Sequence, residues 1–284
     1  MRIRHFLTVF AALAAGCNTE SPAREGQATP QPPANLGTAF DAAKTGTVAG
    51  RVTWNGAIPD VPEFLCCVPQ KEGHGLDFVK VDNPNRPRID AKTHAVAGAV
   101  VFLRGVDPTA SRPWDLPTVR VEMAQGAIAV VQGDRRDRVG FVHRGDGFTT
   151  LSAEASFHVL RGRGDAFFSL TLPEPGHPVA RTLTNPGRVE LSSGSGQYWA
   201  RADLFVADHP YYAVTDAAGR FNFTHVPAGP VEVVAWLPGW NVARQDRDVD
   251  TTAIVRMTYT PPVERTANLI VTPGTTVEAP LSVP

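Results

Sequence analysis

Short alternations of apolar and polar residues run along most of this chain, each ending at a glycine, a proline or a small polar cluster. Residues 47–54 (TVAGRVTW) and 97–103 (AGAVVFL) are the first two. Others fall at 119–123, 126–131, 147–151, 156–160, 166–172, 187–191 and 202–206. The series continues at 211–215, 219–223, 231–236, 255–259, 267–271 and 276–281. Turns recurring every 8–12 residues or so predict sandwiches or barrels. No stretch sustains a 3.6-residue apolar period, so the pattern predicts an all-β chain.

Composition sharpens this picture. The chain has 284 residues, a net charge of −1 and 25 each of glycine and proline, evenly scattered as turn formers. So balanced a charge does not steer the chain toward nucleic acid. Only residues 1–17 (MRIRHFLTVFAALAAGC) break the β pattern. Arg2 and Arg4 precede an apolar run at 6–15, and small residues lead into Cys17, which is the order of a secretory signal. The run is too short to stay as a membrane-spanning helix. Its ending resembles the lipobox of bacterial lipoproteins, with the usual leucine one place early at Leu13. That resemblance implies acylation of Cys17, and hence a membrane partner and a place in the bacterial cell envelope. Residues 18–44 are rich in Ser, Thr, Pro, Ala, Gln and Glu and predict a disordered linker.

Three segments together, 45–56 (TGTVAGRVTWNG), 96–104 (VAGAVVFLR) and 213–240, resemble one carboxypeptidase regulatory-like domain, a small transthyretin-like or carbohydrate-binding-like sandwich. Within the third, Asp216 and Gly219 suit a hairpin turn and Pro227 with Gly229 suit the next. Val231, Val233 and Ala235 then alternate to one face, with Val234 and Trp236 on the other. The module is interrupted, so residues 45–104 and 206–284 are expected to form it and 105–205 to form an insert. The insert resembles a cupredoxin at 147–160 and 187–206. Two Greek-key, immunoglobulin-like β-sandwiches, one inserted into the other, are therefore expected. In that resemblance His158 matches a ligand histidine, but Gly194, Gln197 and Ala200 stand where a cysteine, a histidine and a methionine would hold copper. A type-1 site needs the thiolate, so the match implies the fold without the metal.

The remaining chemistry is sparse. Cys66, Cys67 and His74 hold two soft ligands and an imidazole, yet neighbouring strand residues point apart and chelate poorly. Asp246, Asp248 and Asp250 alternate, but Thr251 and Met257 replace the glycine and glutamate of a calcium loop, so a solvated loop is expected. Ser193–Gly196 is not a nucleophile elbow, since no helix follows it. His158 sits between apolar neighbours, as a hydrogen-bonded structural histidine does. No catalytic constellation, metal site or cofactor is expected. Tyr198, Trp199, Tyr212, Trp236 and Trp240 are the candidate ligand-binding residues, because aromatic faces stack on sugars and anchor partner proteins. Trp236 and Tyr212 also suit the joint between two sandwiches. The expectation is a non-enzymatic, lipid-anchored envelope protein that binds a carbohydrate or another protein. Its alternative is a copper- or zinc-handling protein using His158, His209 or the Cys66–Cys67 pair.

Overall fold

A computed structural model describes residues 39–69 and 76–284; the signal, Cys17, most of the expected linker and His74 lie outside them. Among the described residues there is no α-helix, only a 3-10 turn at Ala42–Lys44, and the chain is all-β as expected. Arg220–Pro227, Thr45–Trp54 and Thr276–Val283 form a three-stranded sheet in that order. Against it lies a four-stranded sheet of Tyr212–Val214, Val100–Arg104, Gly229–Leu237 and Val263–Val271. A second pair of sheets begins with Val139–His143, Arg201–Ala207, Gly187–Ser193, His158–Gly164 and Phe168–Leu172. Its other layer is Val179–Thr182, Gly147–Ser152, Val119–Ala124, Ala127–Gln132 and Arg135–Asp137. Three two-stranded pairs stand outside these sheets: Phe64–Pro69 with Leu76–Val81, Arg88–Ile89 with Val96–Ala97, and Val242–Arg247 with Ile254–Tyr259.

The local causes are legible. In Thr45–Trp54 the alternation of Val48, Val52 and Trp54 faces the core, and all three are buried. Gly50 lies between Phe221 and Ala279 of the flanking strands. A Cβ there would run into the Ala279 carbonyl and come within 2.6 Å of Phe221 Cζ, so only glycine lets the three strands close up. The Asp216 carboxylate accepts hydrogen bonds from the Ala218 and Arg220 amides, both at 2.8 Å, and Gly219 takes φ +74°, together making the expected hairpin turn.

Strand Gly229–Leu237 has a core on each side. Val231, Val233, Ala235 and Leu237 join Phe221 and Phe223 in one cluster. Val234 and Trp236 face the other way and meet Phe102, Phe141 and Phe205 in a second cluster, which joins the two pairs of sheets. Fully burying a side chain of this kind stabilises by about 1.5–3 kcal/mol. A third cluster, with Val121, Phe148, Leu160, Leu191 and Leu204 at its centre, fills the second pair.

Several elements differ from expectation. Strands Phe64–Pro69, Leu76–Val81, Val139–His143, Val179–Thr182 and Val242–Arg247 are additional to the pattern. Asp246 is not in a loop: it pairs with Arg256 in the outer hairpin. Asp248 closes the following turn by accepting from the Asp250 and Thr251 amides at 3.1 and 2.9 Å. Residues at the end of the expected linker are ordered, because the Lys44 carbonyl accepts from the Ala228 amide at 3.0 Å.

His209 sits beside the joint, nearly buried, with its ring stacked 5.6 Å from Tyr212 and its Nδ1 without a partner. Burial depresses its pKa, against the opposing pull of Asp208. The unfolded chain then takes up the proton more readily than the folded one. Stability is therefore full above the ordinary histidine value and is lost as pH falls from about 6.5 toward the folded value, by at most about 1.4 kcal/mol per unit. Urea midpoints between pH 7.5 and 5.5 should fall in the native chain and flatten in His209→Gln. Equal slopes in both would rule out His209 as the source.

Candidate functional site

At one end of the second pair of sheets three connections converge. The tight turn Gln125–Gly126 joins Val119–Ala124 to Ala127–Gln132, with φ of +50° and +71° as a twisted two-residue hairpin requires. The second connection carries Glu154 into strand His158–Gly164, and the third, residues 194–200, links Gly187–Ser193 to Arg201–Ala207. Val79 and Val81 of the hairpin Phe64–Pro69/Leu76–Val81 close the fourth side. Between them lies a cleft of about 970 Å³.

Its polar lining is knitted together. His158 is buried, and its Nε2 is 2.9 Å from Glu154 Oε1. The other carboxylate oxygen accepts from the Gln125 amide at 3.0 Å, so Glu154 ties two of the three connections to each other. Nδ1 of His158 is buried without a hydrogen-bond partner. Across the cleft the Gln197 carbonyl oxygen accepts from the Ser193 and Ser195 hydroxyls at 2.7 and 3.1 Å. Its amide nitrogen has no partner among the described residues. Trp199 is 7% exposed and lies over Gly126, whose missing side chain leaves just enough room; an added Cβ would meet Trp199 Cζ2 at 3.0 Å.

The five aromatic candidates separate into three places. Trp199 lines the cleft and Tyr198 stands edge-on to it at 5.0 Å, with its hydroxyl 3.4 Å from the Leu65 carbonyl and 3.5 Å from Cys66 Sγ. Tyr212 and Trp236 belong to the joint. Tyr212 stacks on Phe102 at 5.1 Å, and burial pushes its phenol up to about 12. Trp236 is buried beneath the Arg188 guanidinium and edge-on to Phe205 at 5.2 Å. Trp240 packs 5.5 Å from Trp54 in yet another place. The structure thus does not gather the five on one face. His209 is likewise at the joint, away from His158, and Cys66 is buried under Tyr198. Among the described residues no group of three or more His, Cys, Asp or Glu side chains comes together.

The lining also contains residues that the pattern did not single out: Gln125, Glu154, Arg138 and Arg201. Glu154 precedes His158 by four residues in a connection, a spacing with no periodic signature. The two arginines lie in or beside strands, where a charge reads as a solvent-facing position.

No protein-family model matches the chain, and no curated protein does. Solved structures similar to part of it are variants of amicyanin. An oxidised variant is 18% identical over 32% of this chain and 82% of that one, with a TM-score of 0.25. A Cu(I) variant is 19% identical over the same shares, also at 0.25, and a reduced variant is 14% identical over 38% and 98%, again at 0.25. Amicyanin is cupredoxin-like, but at these scores the likeness carries no inference about this chain, whose fold rests on the sheets described above.

Proposed function

We propose that the chain is a non-enzymatic binding module, held at a bacterial envelope surface through lipid on Cys17 and the linker that follows. Its ligand is a carbohydrate or a protein and seats in the cleft beside Trp199. The observation that carries this reading is the composition of that cleft: an indole, two glutamine amides and serine hydroxyls converging in about 970 Å³. Saccharides present hydroxyls to amides and C–H faces to rings, and the volume suits a small ligand better than a flat protein surface. Within the proposal, the carboxypeptidase regulatory-like module spans 45–104 and 206–284 and the cupredoxin-like insert spans 105–205. The separate clusters of buried residues around Val233 and around Leu204 support that division.

Cys17→Ser should move the protein from the membrane to the soluble fraction, and mass spectrometry of the native chain should find an acylated Cys17 as its first residue. An unmodified N-terminus elsewhere refutes the anchor. On an array of neutral and charged glycans, the purified protein should retain a defined subset, and Gln197→Ala should weaken that binding about tenfold through lost hydrogen bonding. Turnover of any bound glycan, or no retention of glycan or envelope protein, refutes the binding role.

One observation favours the metal-handling alternative. A carboxylate on one nitrogen of His158 and a bare second nitrogen match the orientation that metal-ligating histidines receive. Elemental analysis of the native protein decides it: stoichiometric copper or zinc that is lost in His158→Ala would promote this reading, and a metal-free protein would end it.

A further inference from the structure

Charge is distributed unequally around the cleft. Four ionisable side chains besides His158 line it: Asp82, Glu154, Arg138 and Arg201. Both carboxylates have partners at hand. Glu154 holds His158 and the Gln125 amide, while Asp82 is exposed and 3.7 Å from Arg86. The hydrogen bonds of the two arginines go to neutral oxygens. Arg201 is 5% exposed and donates only to carbonyls, from Nη1 to Ala200 at 2.9 Å and from Nη2 to Met257 at 2.6 Å. Its Nε is buried without a hydrogen bond, and the nearest carboxylate oxygen, of Glu190, is 3.6 Å away. Arg138, half-buried, donates from Nη1 to the Asn85 side chain at 3.2 Å. Its Nε and Nη2 edge has no partner among the described residues. The carboxylates near it are engaged: Asp137 by Arg88 at 2.9 Å and Asp203 by Arg188 at 2.8 Å.

A guanidinium keeps its charge under these conditions, so the cleft retains two cations in a partly dehydrated wall, neither of which makes a hydrogen bond to a carboxylate. Desolvation acts on both, with the acidic neighbours only partly offsetting it. An incoming anion would relieve that cost. Arg138 lines this cleft and also the smaller cavity beside Trp236, and its Nε and Nη2 are the kind of paired donors that match the two oxygens of a carboxylate. The geometry points to a carboxylate-bearing saccharide as the ligand of this cleft, its acid on Arg138 near Arg201 and its neutral ring toward Trp199 and Gln197. This rests on the reading of the cleft as a glycan site and adds the charge of the glycan.

The test uses the full-length protein on an array that pairs uronate- and sialate-bearing glycans with the same glycans as methyl esters. The acids should be retained at least tenfold better than their esters, with the difference shrinking at high salt. Arg138→Gln should bring the acids down to the level of the esters. Arg138→Lys keeps the charge without the fork and should recover only part of the difference. Thermal midpoints of both variants report whether the fold survives. If either unfolds, the acid-to-ester ratio of the native protein decides alone. Equal retention of acids and esters, or an acid preference that Arg138→Gln leaves intact in a folded protein, overturns the inference while the glycan site stands. Retention of nothing overturns both.

Discussion

Strand Gly229–Leu237 has no solvent face along most of its length, and the architecture depends on that constraint. A strand buried on one side can tolerate polar substitution on the other. Here Val233 and Ala235 complete one core while Val234 and Trp236 form the seam with Phe141 and Phe205 of one neighbouring sheet. The two pairs of sheets therefore meet across continuous apolar contact instead of a hydrated hinge. Arg188 crosses this seam by lying over Trp236 while its Nε binds Asp203. A joint of this kind transmits position, and the loops at the far end of the second pair inherit a rigid base.

The cleft exploits that base. Its polar groups sit on short connections between strands whose registers are fixed by long ladders, and Glu154 binds two of those connections together. Glu154 holds the His158 ring in one orientation, and across from it the Ser193 and Ser195 hydroxyls hold the Gln197 side chain.

Much of this was readable from residue order, and the limits have physical causes. Alternation in 231–236 told both faces of the central strand, because period two is a direct consequence of the pleat. The Asp216–Gly219 turn was readable because a side-chain acceptor and a left-handed glycine leave a local signature. Val139–His143 was not, since Gly140 breaks the run; its bare Cα is needed because a Cβ would meet Val130 and Leu204 at 2.7 and 3.0 Å. Phe64–Pro69 has no alternation at all; its partner strand carries Val79 and Val81 into the cleft wall, and its own contact with Tyr198 is with a residue distant in sequence. Arg138 and Arg201 were illegible for the same reason. Nothing near Arg201 in the chain announces that the Met257 carbonyl will cover it.

Thr45–Trp54 is the middle strand of its sheet, antiparallel to Arg220–Pro227 and parallel to Thr276–Val283. A pull that reaches Thr45 along this strand's axis loads both of its ladders at once. Two ladders then resist it in shear, and their hydrogen bonds must yield together. Entry through an edge strand would let a single ladder peel one bond at a time. The order of three strands thus gives the molecule mechanical resistance at the point where the preceding chain joins it.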